Sequence, residues 1–146
     1  MAPVCIGMAG YREERRESNE GEEIWLELEE EERRCRHCAS EQIVSKGRYE
    51  RRARHLDVFG RASWLRIQTR RRECRECGRS FVPETPGLRP WRRSTEPWRE
   101  SIYRDHHEGI SASAMARMRR LGSATVGRIY AEFTGRKARE RESLQC

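Results

Sequence analysis

The sequence predicts an α+β fold with two successive parts, and three observations support this prediction. Two Cys-x-x-Cys pairs, Cys35/Cys38 and Cys74/Cys77, are separated by the 35 residues 39–73. The segments before and between the pairs alternate apolar and polar residues at period two, as strands do. The segments after residue 94 carry helix caps and apolar side chains at helical spacing. We therefore expect a small β ribbon with a long hairpin, followed by three helices.

The cysteine pairs are the strongest chemical signal in the chain. Two tight turns that aim four sulfurs at one point provide the donor set of a structural zinc site. The gap between the pairs exceeds the usual value of roughly 15–20 residues, which suits two zinc knuckles joined by a long hairpin. Disulfides are one alternative, but they need a secretory context. A redox pair is the other alternative, but it needs a βαβ pattern. The predicted Zn²⁺ ligands are Cys35, Cys38, Cys74 and Cys77.

Composition and charge indicate what kind of molecule the chain binds. Of the 146 residues, 38% are charged, mean hydropathy is -1.05 and the net charge is +7, which argues against one large core. Residues 13–32 hold eleven acidic and two basic side chains, so the positive charge is concentrated elsewhere, nearly all of it as arginine. This distribution indicates a nucleic-acid partner. A solvated surface made arginine-rich by codon usage is the alternative.

The N-terminal region carries no export or membrane signal. Its apolar stretch, residues 2–11, is interrupted by Gly7 and Gly10 and lacks a basic leader. We therefore expect a reducing compartment, the cytoplasm, and no membrane contact. Cys5 and Cys146 have no partner motif and are interpreted as spare thiols.

Before the first cysteine pair, the sequence predicts a disordered acidic lead-in, residues 1–23, and then a strand. In residues 24–29, apolar residues alternate with Trp25 and glutamates; a helix through the glutamates is the second choice. The acidic run either solvates the lead-in or folds over the basic part of the chain, and we favour solvation.

The hairpin of the predicted zinc-ribbon domain, residues 24–82, runs from Ile43 to near Val58 and returns from Ala62 to Arg72. Gly60 supplies positive φ in the turn. Leu65, Ile67 and Thr69 fall on one face of the return strand. A strand pair this rich in arginine can follow a phosphate backbone, although a solvated face would explain some of its charge. The predicted DNA contacts here are Arg48, Arg51, Arg52, Arg54, Arg66 and Arg70.

An irregular linker, residues 83–93, should lead to a helical domain at 94–134 and a charged tail at 135–146. The first helix begins near Ser94 and buries Trp98 and Ile102. Neighbouring His106 and His107 have no partner at zinc spacing, so we interpret them as surface or capping residues.

The last two helices follow the helix-turn-helix pattern. Ser111 caps a short helix, 112–119, and Ser123 caps a second helix of about ten residues. Four residues of the second helix form one apolar stripe at i, i+3, i+4 and i+7, namely Val126, Ile129, Tyr130 and Phe133. The exposed start of a recognition helix would then carry Ser123, Ala124, Thr125 and Arg128. A helical hairpin that only packs the domain is the alternative.

Together these residues resemble a known family. The order Cys35-x-x-Cys38-Ala39-Ser40, Lys46-Gly47-Arg48, Arg54-His55-Leu56 and Arg72-x-Cys74-x-x-Cys77-Gly78-Arg79-Ser80-Phe81 is similar to the N-terminal region of ISL-family insertion-sequence transposases. The resemblance spans about Ile24 to Phe133. It implies a zinc finger and a helix-turn-helix that precede a DDE catalytic domain. Ala39 and Arg120 stand where the family usually has glycine.

The resemblance implies double-stranded DNA as the partner, specifically the terminal inverted repeats of a mobile element. A second copy of the chain or an intact transposase could be a further partner. Asp57 and Asp105 are the only aspartates and lie in no strand context suited to a DDE site. We therefore expect a truncated, non-enzymatic, zinc-dependent DNA-binding fragment. The rival hypotheses are a transcription-associated zinc ribbon that contacts protein, and a catalytic subunit that acts after assembly with another chain.

Overall fold

The structure of the protein, a computed structural model, describes residues 8–18, 21–58 and 60–145. It confirms the α+β class. The chain divides into two compact units, Met1–Thr95 and Glu96–Cys146, of which the first is a sheet and the second is helical. The spare thiols predicted at Cys5 and Cys146 lie outside the described residues.

Unit one is built on a five-stranded sheet. Its strands are β1 (Tyr11–Ser18), β2 (Gly21–Leu28), β3 (Ile43–Val58), β4 (Arg61–Cys74) and β5 (Ser80–Phe81). The order is β1-β2-β4-β3, and β5 pairs with β4. The pairing of β2 with β4 is parallel, and all other pairings are antiparallel.

The long hairpin is confirmed, with a detail that the sequence pattern does not give. β3 has 16 residues and β4 has 14, and the excess is taken up by register shifts between Ser45 and Gly47 and between His55 and Val58. Between the two shifts the pairing is regular from Gly47 to His55, so the arginines of this stretch alternate between the two faces of the sheet.

The core of unit one lies on one face of the sheet. Leu26, Leu65 and Ile67 are fully buried there, and burying a side chain of this size contributes roughly 1.5–3 kcal/mol. Leu88 packs against this cluster from the segment after β5. Tyr11 packs there from β1, and its hydroxyl donates to the Pro86 carbonyl at 2.6 Å. Burial raises the pKa of Tyr11.

The predicted disorder of residues 1–23 is wrong for the described residues 11–18 and 21–23, which belong to β1 and β2. The physical reason is the backbone ladder: β1 pairs with β2 along its whole length, and β2 pairs with β4. Such a ladder overrides the weak strand propensity of glutamate.

The segment interpreted as a linker, residues 83–93, packs on the sheet of unit one. Leu88 is only 3% exposed. The Arg54 amide donates to the Arg93 carbonyl at 2.8 Å, and the Thr95 amide donates to the Arg54 carbonyl at 3.0 Å. His55, also buried, shares a 2.7 Å hydrogen bond with the Thr95 hydroxyl. A boundary at residue 95 therefore replaces the predicted linker.

Unit two consists of α1 (Glu96–His107), α2 (Ala112–Arg119) and α3 (Ser123–Leu144). The bounds of α2 are those predicted from the sequence. The apolar cluster between the helices comprises Trp98, Ile102, Met115, Val126, Ile129 and Phe133, with Tyr103, Ile110, Ala112 and Leu121 partly buried against it. Tyr130, predicted in the same stripe, is half-buried.

The second predicted helix is 22 residues long rather than about ten, because the charged tail continues it. The tail is rich in arginine and glutamate, which are good helix formers. Arg136 forms an ion pair with Glu132 one turn earlier and a second with Glu96 of α1 at 2.6 Å. These pairs explain why the helix does not end near residue 134.

The N-cap of α2 is the predicted residue, whereas the N-cap of α3 is not. The Ser111 hydroxyl accepts from the Ala114 amide at 3.1 Å, as expected of an N-cap. At α3 the cap residue is Gly122, without a side-chain cap bond, and Ser123 is already helical. Arg120 adopts φ 53° in the turn.

Among the described residues, none of the helices is both long and apolar enough to cross a membrane.

Candidate metal centre and arginine-rich face

The two cysteine pairs form knuckles with the same backbone pattern. In the first, the Ala39 amide donates to the Cys35 carbonyl at 2.9 Å, and the Cys35 amide donates to the Ser40 carbonyl at 2.8 Å. In the second, both corresponding bonds, Gly78 to Cys74 and Cys74 to Arg79, measure 3.0 Å. Each knuckle holds its two sulfurs on one side of a tight turn.

The four sulfurs of Cys35, Cys38, Cys74 and Cys77 converge within 4.8 Å of one another. Cys35 Sγ lies 3.6 Å from Cys77 Sγ, and Cys38 Sγ lies 3.5 Å from Cys74 Sγ. A tetrahedron with Zn–S bonds of about 2.3 Å has edges of about 3.8 Å, so the spacing fits one zinc ion. Within the described part of the chain, this is the one cluster of His, Cys, Asp and Glu with metal-site geometry.

The cysteine cluster is packed against apolar side chains at two of its cysteines and exposed at the other two. Cys35 and Cys74 are buried, with Phe81 and Ile43 packed against them, whereas Cys38 and Cys77 are exposed. The His37 amide points at Cys35 Sγ at 3.3 Å. Amide donors of this kind stabilise negative charge on a metal-bound thiolate.

The thiols differ in acidity in the metal-free protein. The backbone amide of Cys77 outweighs burial and lowers the pKa of Cys74 to about 7. The backbone hydrogen bond from Ser40 lowers the pKa of Cys38, but desolvation and the hydrogen bonds to the other three thiols outweigh it and raise that pKa to about 12. Four thiolates cannot share so small a volume without a cation, and a divalent soft metal ion supplies the charge that they need.

The sheet face opposite the core, which we call the open face, carries aligned rows of side chains. One row runs Glu23, Trp64 and Arg54 across β2, β4 and β3, and the next runs Trp25, Arg66 and Arg52. The rows beyond contain Glu27, Gln68, Glu50, Arg70 and Arg48. The open face is therefore arginine-rich but not uniformly basic.

Arginine and tryptophan side chains stack on the open face. The guanidinium carbon of Arg52 lies 4.2 Å from the centroid of the Trp64 ring, and that of Arg66 lies 4.6 Å from the Trp25 ring. Cation–π contacts of this kind contribute about 0.5–1 kcal/mol each at exposed sites. They hold the guanidinium groups against the sheet in defined positions.

The acidic segment before the first knuckle contacts the basic hairpin. Glu23 lies 3.8 Å from Arg52 and 3.7 Å from Arg66, and Glu22 lies 3.7 Å from Arg61. Farther along, Glu31 pairs with Arg72. Simple solvation of the acidic run, the alternative that we favoured, is therefore wrong at these glutamates, because parallel pairing of β2 with β4 brings them beside the hairpin.

The six predicted hairpin contacts have different environments. Arg48 and Arg70 face each other across β3 and β4 and are exposed. Arg52, Arg54 and Arg66 stack on tryptophan, and Arg54 also pairs with Asp57 at 3.0 Å.

Arg51 points to the other side of the sheet. Its guanidinium donates to the Thr85 hydroxyl at 2.6 Å and to the carbonyls of Leu88, Arg89 and Arg92 at 3.2, 2.8 and 3.1 Å. Partial burial lowers the pKa of Arg51. Because these donors are used within the protein, we assign Arg51 a structural role and leave it out of any surface interface. The period-two pattern on β3 could have shown this, since Arg51 shares a face with buried Ala53.

In unit two, the start of α3 exposes three of its four predicted contact residues. Ser123, Ala124 and Arg128 are exposed, and Thr125 is half-buried. Arg128 donates to the Thr125 hydroxyl at 3.1 Å, so their side chains adjoin on one face of the helix.

The remaining titratable candidates have local partners. His106 contacts the Ile110 carbonyl at 2.7 Å, and His107 contacts the Tyr130 hydroxyl at 3.1 Å. Asp105 accepts from Arg119 at 2.5 Å. These contacts are consistent with structural roles.

Part of the chain matches a known protein family. Residues 31–77 match the family described as the zinc-finger of transposase IS204/IS1001/IS1096/IS1165. The matched segment includes both cysteine pairs and the long hairpin, and together with the sulfur geometry it identifies a zinc-binding ribbon similar to that of these transposases. Searches among curated proteins and among solved structures found no significant match.

Proposed function

We propose that the protein is a zinc-dependent DNA-binding fragment of an insertion-sequence transposase, and that it recognises the terminal inverted repeats of its element. The observation that carries the proposal is the match of residues 31–77 to a transposase zinc finger whose four cysteines converge in the fold. The net charge of +7 and the arginines of the hairpin support a polyanionic partner.

In this proposal the zinc ion clamps the open end of the β3–β4 hairpin and contributes much of the stability of unit one. Cys35, Cys38, Cys74 and Cys77 hold it. The hairpin then presents Arg48 and Arg70 to phosphates, and the arginines stacked on Trp25 and Trp64 lie farther along the same face, beyond the row of Gln68 and Glu50. Phosphate contacts position the protein on a duplex but carry little sequence information.

Sequence recognition is assigned to unit two. Its three helices, the exposed start of α3 and the cap at Ser111 support a helix-turn-helix in which α3 enters the major groove. Arg128 can donate to guanine edges there, and Thr125 lies beside it. We assign no strand-transfer chemistry to these two units, since Asp57 and Asp105 each pair with an arginine.

The test is binding of a fluorescently labelled 20-base-pair duplex, followed by anisotropy across a salt series, with zinc-loaded and with chelated protein. We expect affinity that falls steeply with salt and is lost on chelation. Zinc-independent binding would leave α1–α3 as the DNA-binding part. No binding at low salt would refute the proposal and favour a protein-interaction module.

Recognition by α3 has its own test, which uses a site selected from a random duplex pool. Arg128→Ala should lower discrimination between this site and random DNA by about 1–3 kcal/mol, as expected for a bidentate base contact. Arg139→Ala is the matched control, because Arg139 is exposed about three turns later on the same helix. Equal effects of the two variants would remove Arg128 from the recognition surface.

A further inference from the structure

Trp91 differs from the other three tryptophans of the chain. Trp98 is buried, and Trp25 and Trp64 are half-buried against arginines, whereas Trp91 is 97% exposed. It lies between β5 and α1, in the segment that packs on the sheet of unit one. An indole left in water contributes nothing to the core, so its position suggests contact with something outside the chain.

The segment that carries Trp91 is firmly attached to the sheet. Leu88 is inserted into the core, and the Arg51 guanidinium binds the carbonyls of Leu88, Arg89 and Arg92. The Arg93 carbonyl accepts from the Arg54 amide at 2.8 Å. Trp91 is thus held at the tip of a short loop that is anchored on both sides.

The backbone of Trp91 has φ 66°, in the left-handed region. A bulky side chain rarely occupies this region, and residues held there cluster at functional sites. The anchors on either side of the loop hold the backbone in place and turn the indole away from the sheet. The protein therefore maintains an unfavourable conformation at an exposed aromatic residue.

The charge around Trp91 favours an anionic partner. Arg89, Arg92 and Arg93 are exposed within two residues of it, and residues 85–95 contain no acidic side chain. An exposed tryptophan flanked in sequence by arginines is typical of surfaces that stack on nucleobases while binding the adjacent phosphates. An exposed aromatic with arginine also occurs at protein interfaces, but a neutral protein surface gains little from three cations.

We propose that Trp91 stacks on a nucleobase of the bound DNA at an unpaired base or an opened base step, and that Arg89, Arg92 and Arg93 contact the flanking phosphates. This inference rests on the proposed DNA-binding function and adds a contact outside the hairpin and α3. It predicts that the protein prefers distorted duplexes to fully paired ones.

The test compares two 20-base-pair duplexes of the same sequence, one fully paired and one with a single unpaired base at its centre. The zinc-loaded protein should bind the second more tightly. Trp91→Ala should weaken binding to that duplex by about 5- to 150-fold, the range measured for base–aromatic stacking, and should remove the preference. Trp91→Phe should restore most of it, since the phenyl ring also stacks.

Leu144→Ala is the matched control, because Leu144 is an exposed apolar residue, 86% accessible, at the opposite end of α3 from its proposed recognition residues. It should leave both affinities unchanged. Acrylamide quenching gives a second readout: the difference between wild-type and Trp91→Phe fluorescence isolates Trp91, which should become shielded in the complex with the distorted duplex.

The outcomes separate this inference from the proposed function. Duplex binding that Trp91→Ala leaves intact would overturn the stacking role while DNA binding stands. Failure of the wild-type protein to bind either duplex would overturn both proposals. Shielding of Trp91 that rises with protein concentration and without DNA would identify a self-association surface and overturn the inference.

Discussion

Ala39 and Gly78 occupy equivalent positions in the two zinc knuckles, with φ 61° and 71°. Each amide donates to the carbonyl of the first cysteine of its pair. The left-handed conformation is unstrained for glycine but costs an L-residue roughly 1–2 kcal/mol. The first knuckle is therefore the strained member of an otherwise matched pair.

Exchanging these residues should change stability in opposite directions. Ala39→Gly should stabilise zinc-loaded unit one by about 1 kcal/mol, and Gly78→Ala should destabilise it by a similar amount. A Cβ at Gly78 would meet no atom within 4 Å, so its cost is conformational only. The measurement is urea unfolding of the zinc-loaded protein, followed through the sheet signal.

Gly127→Ala provides the control for this pair. Gly127 is inside α3, and an added Cβ there also meets no atom within 4 Å. In a helix the change should stabilise unit two, followed through its helical signal, by about 0.5–1 kcal/mol, opposite in sign to the effect of Gly78→Ala on unit one. Stabilisation by both alanine substitutions would contradict the equivalence of the two knuckles.

Zinc affinity should depend on pH through the thiols. With its pKa of about 12, Cys38 carries a proton at neutral pH in the metal-free protein, and Cys74, with its pKa of about 7, is half protonated. Zinc binding releases these protons, so falling pH must weaken binding. We expect a loss of at least about tenfold per pH unit between pH 8 and pH 6.

Competition with a chromophoric chelator across this range measures the effect. Release of protons, measured by calorimetry in buffers of different ionisation enthalpy, should increase as pH falls, because Cys74 becomes protonated. A zinc affinity that does not change with pH would contradict the presence of protonated thiols in the free protein.

Removing the carboxylate of Glu23 should strengthen DNA binding. This side chain lies beside both Arg52 and Arg66 on the open face, so it lowers the positive potential there and competes with phosphates. Glu23→Gln keeps the shape and should raise duplex affinity several-fold at low salt, with a smaller gain at high salt. Glu27→Gln, on the same face but paired with Arg12 on β1 at 3.6 Å, should have a weaker effect. Unchanged affinity in Glu23→Gln would place DNA away from the open face.

Arginines of the β3–β4 hairpin should respond differently to truncation. Arg48→Ala and Arg70→Ala should each lower the slope of log affinity against log salt by about 0.9, as loss of one phosphate contact does, without changing stability. Arg51→Ala should instead destabilise unit one by roughly 1.5–3 kcal/mol, because the hydroxyl and three carbonyls on the 85–92 segment lose a charged donor. Salt-series anisotropy and urea unfolding distinguish the two effects. A salt slope reduced only in Arg51→Ala would reverse this assignment.

Local patterns predicted much of the fold. Period-two alternation placed Leu65 and Ile67 in the core, and the apolar stripe of α3 placed Val126, Ile129 and Phe133. The spacing of Cys35, Cys38, Cys74 and Cys77 predicted the metal site, because a zinc cluster requires few residue types in a tight arrangement.

Long-range pairing was not predictable from these patterns. Nothing in the glutamates of β1 indicates a strand, since their ladder comes from β2, and β2 in turn depends on β4. The linker was misinterpreted for a similar reason: Leu88 and Arg51 are far apart in sequence, and their contact fixes the segment. Helix α3 continues beyond its apolar stripe because Arg136 pairs with Glu132 and Glu96.

The parallel pairing of β2 with β4 also imposes an order on synthesis. Leu26 lies beside Ile67, 41 residues later in the chain. At about 5–20 residues per second, a ribosome takes about 2–8 seconds to make that stretch. During this interval β2 can pair only with β1, which carries three glutamates and three arginines, and its apolar side chains remain exposed. The glutamates that alternate with them would keep the nascent strand from associating with other chains during this interval.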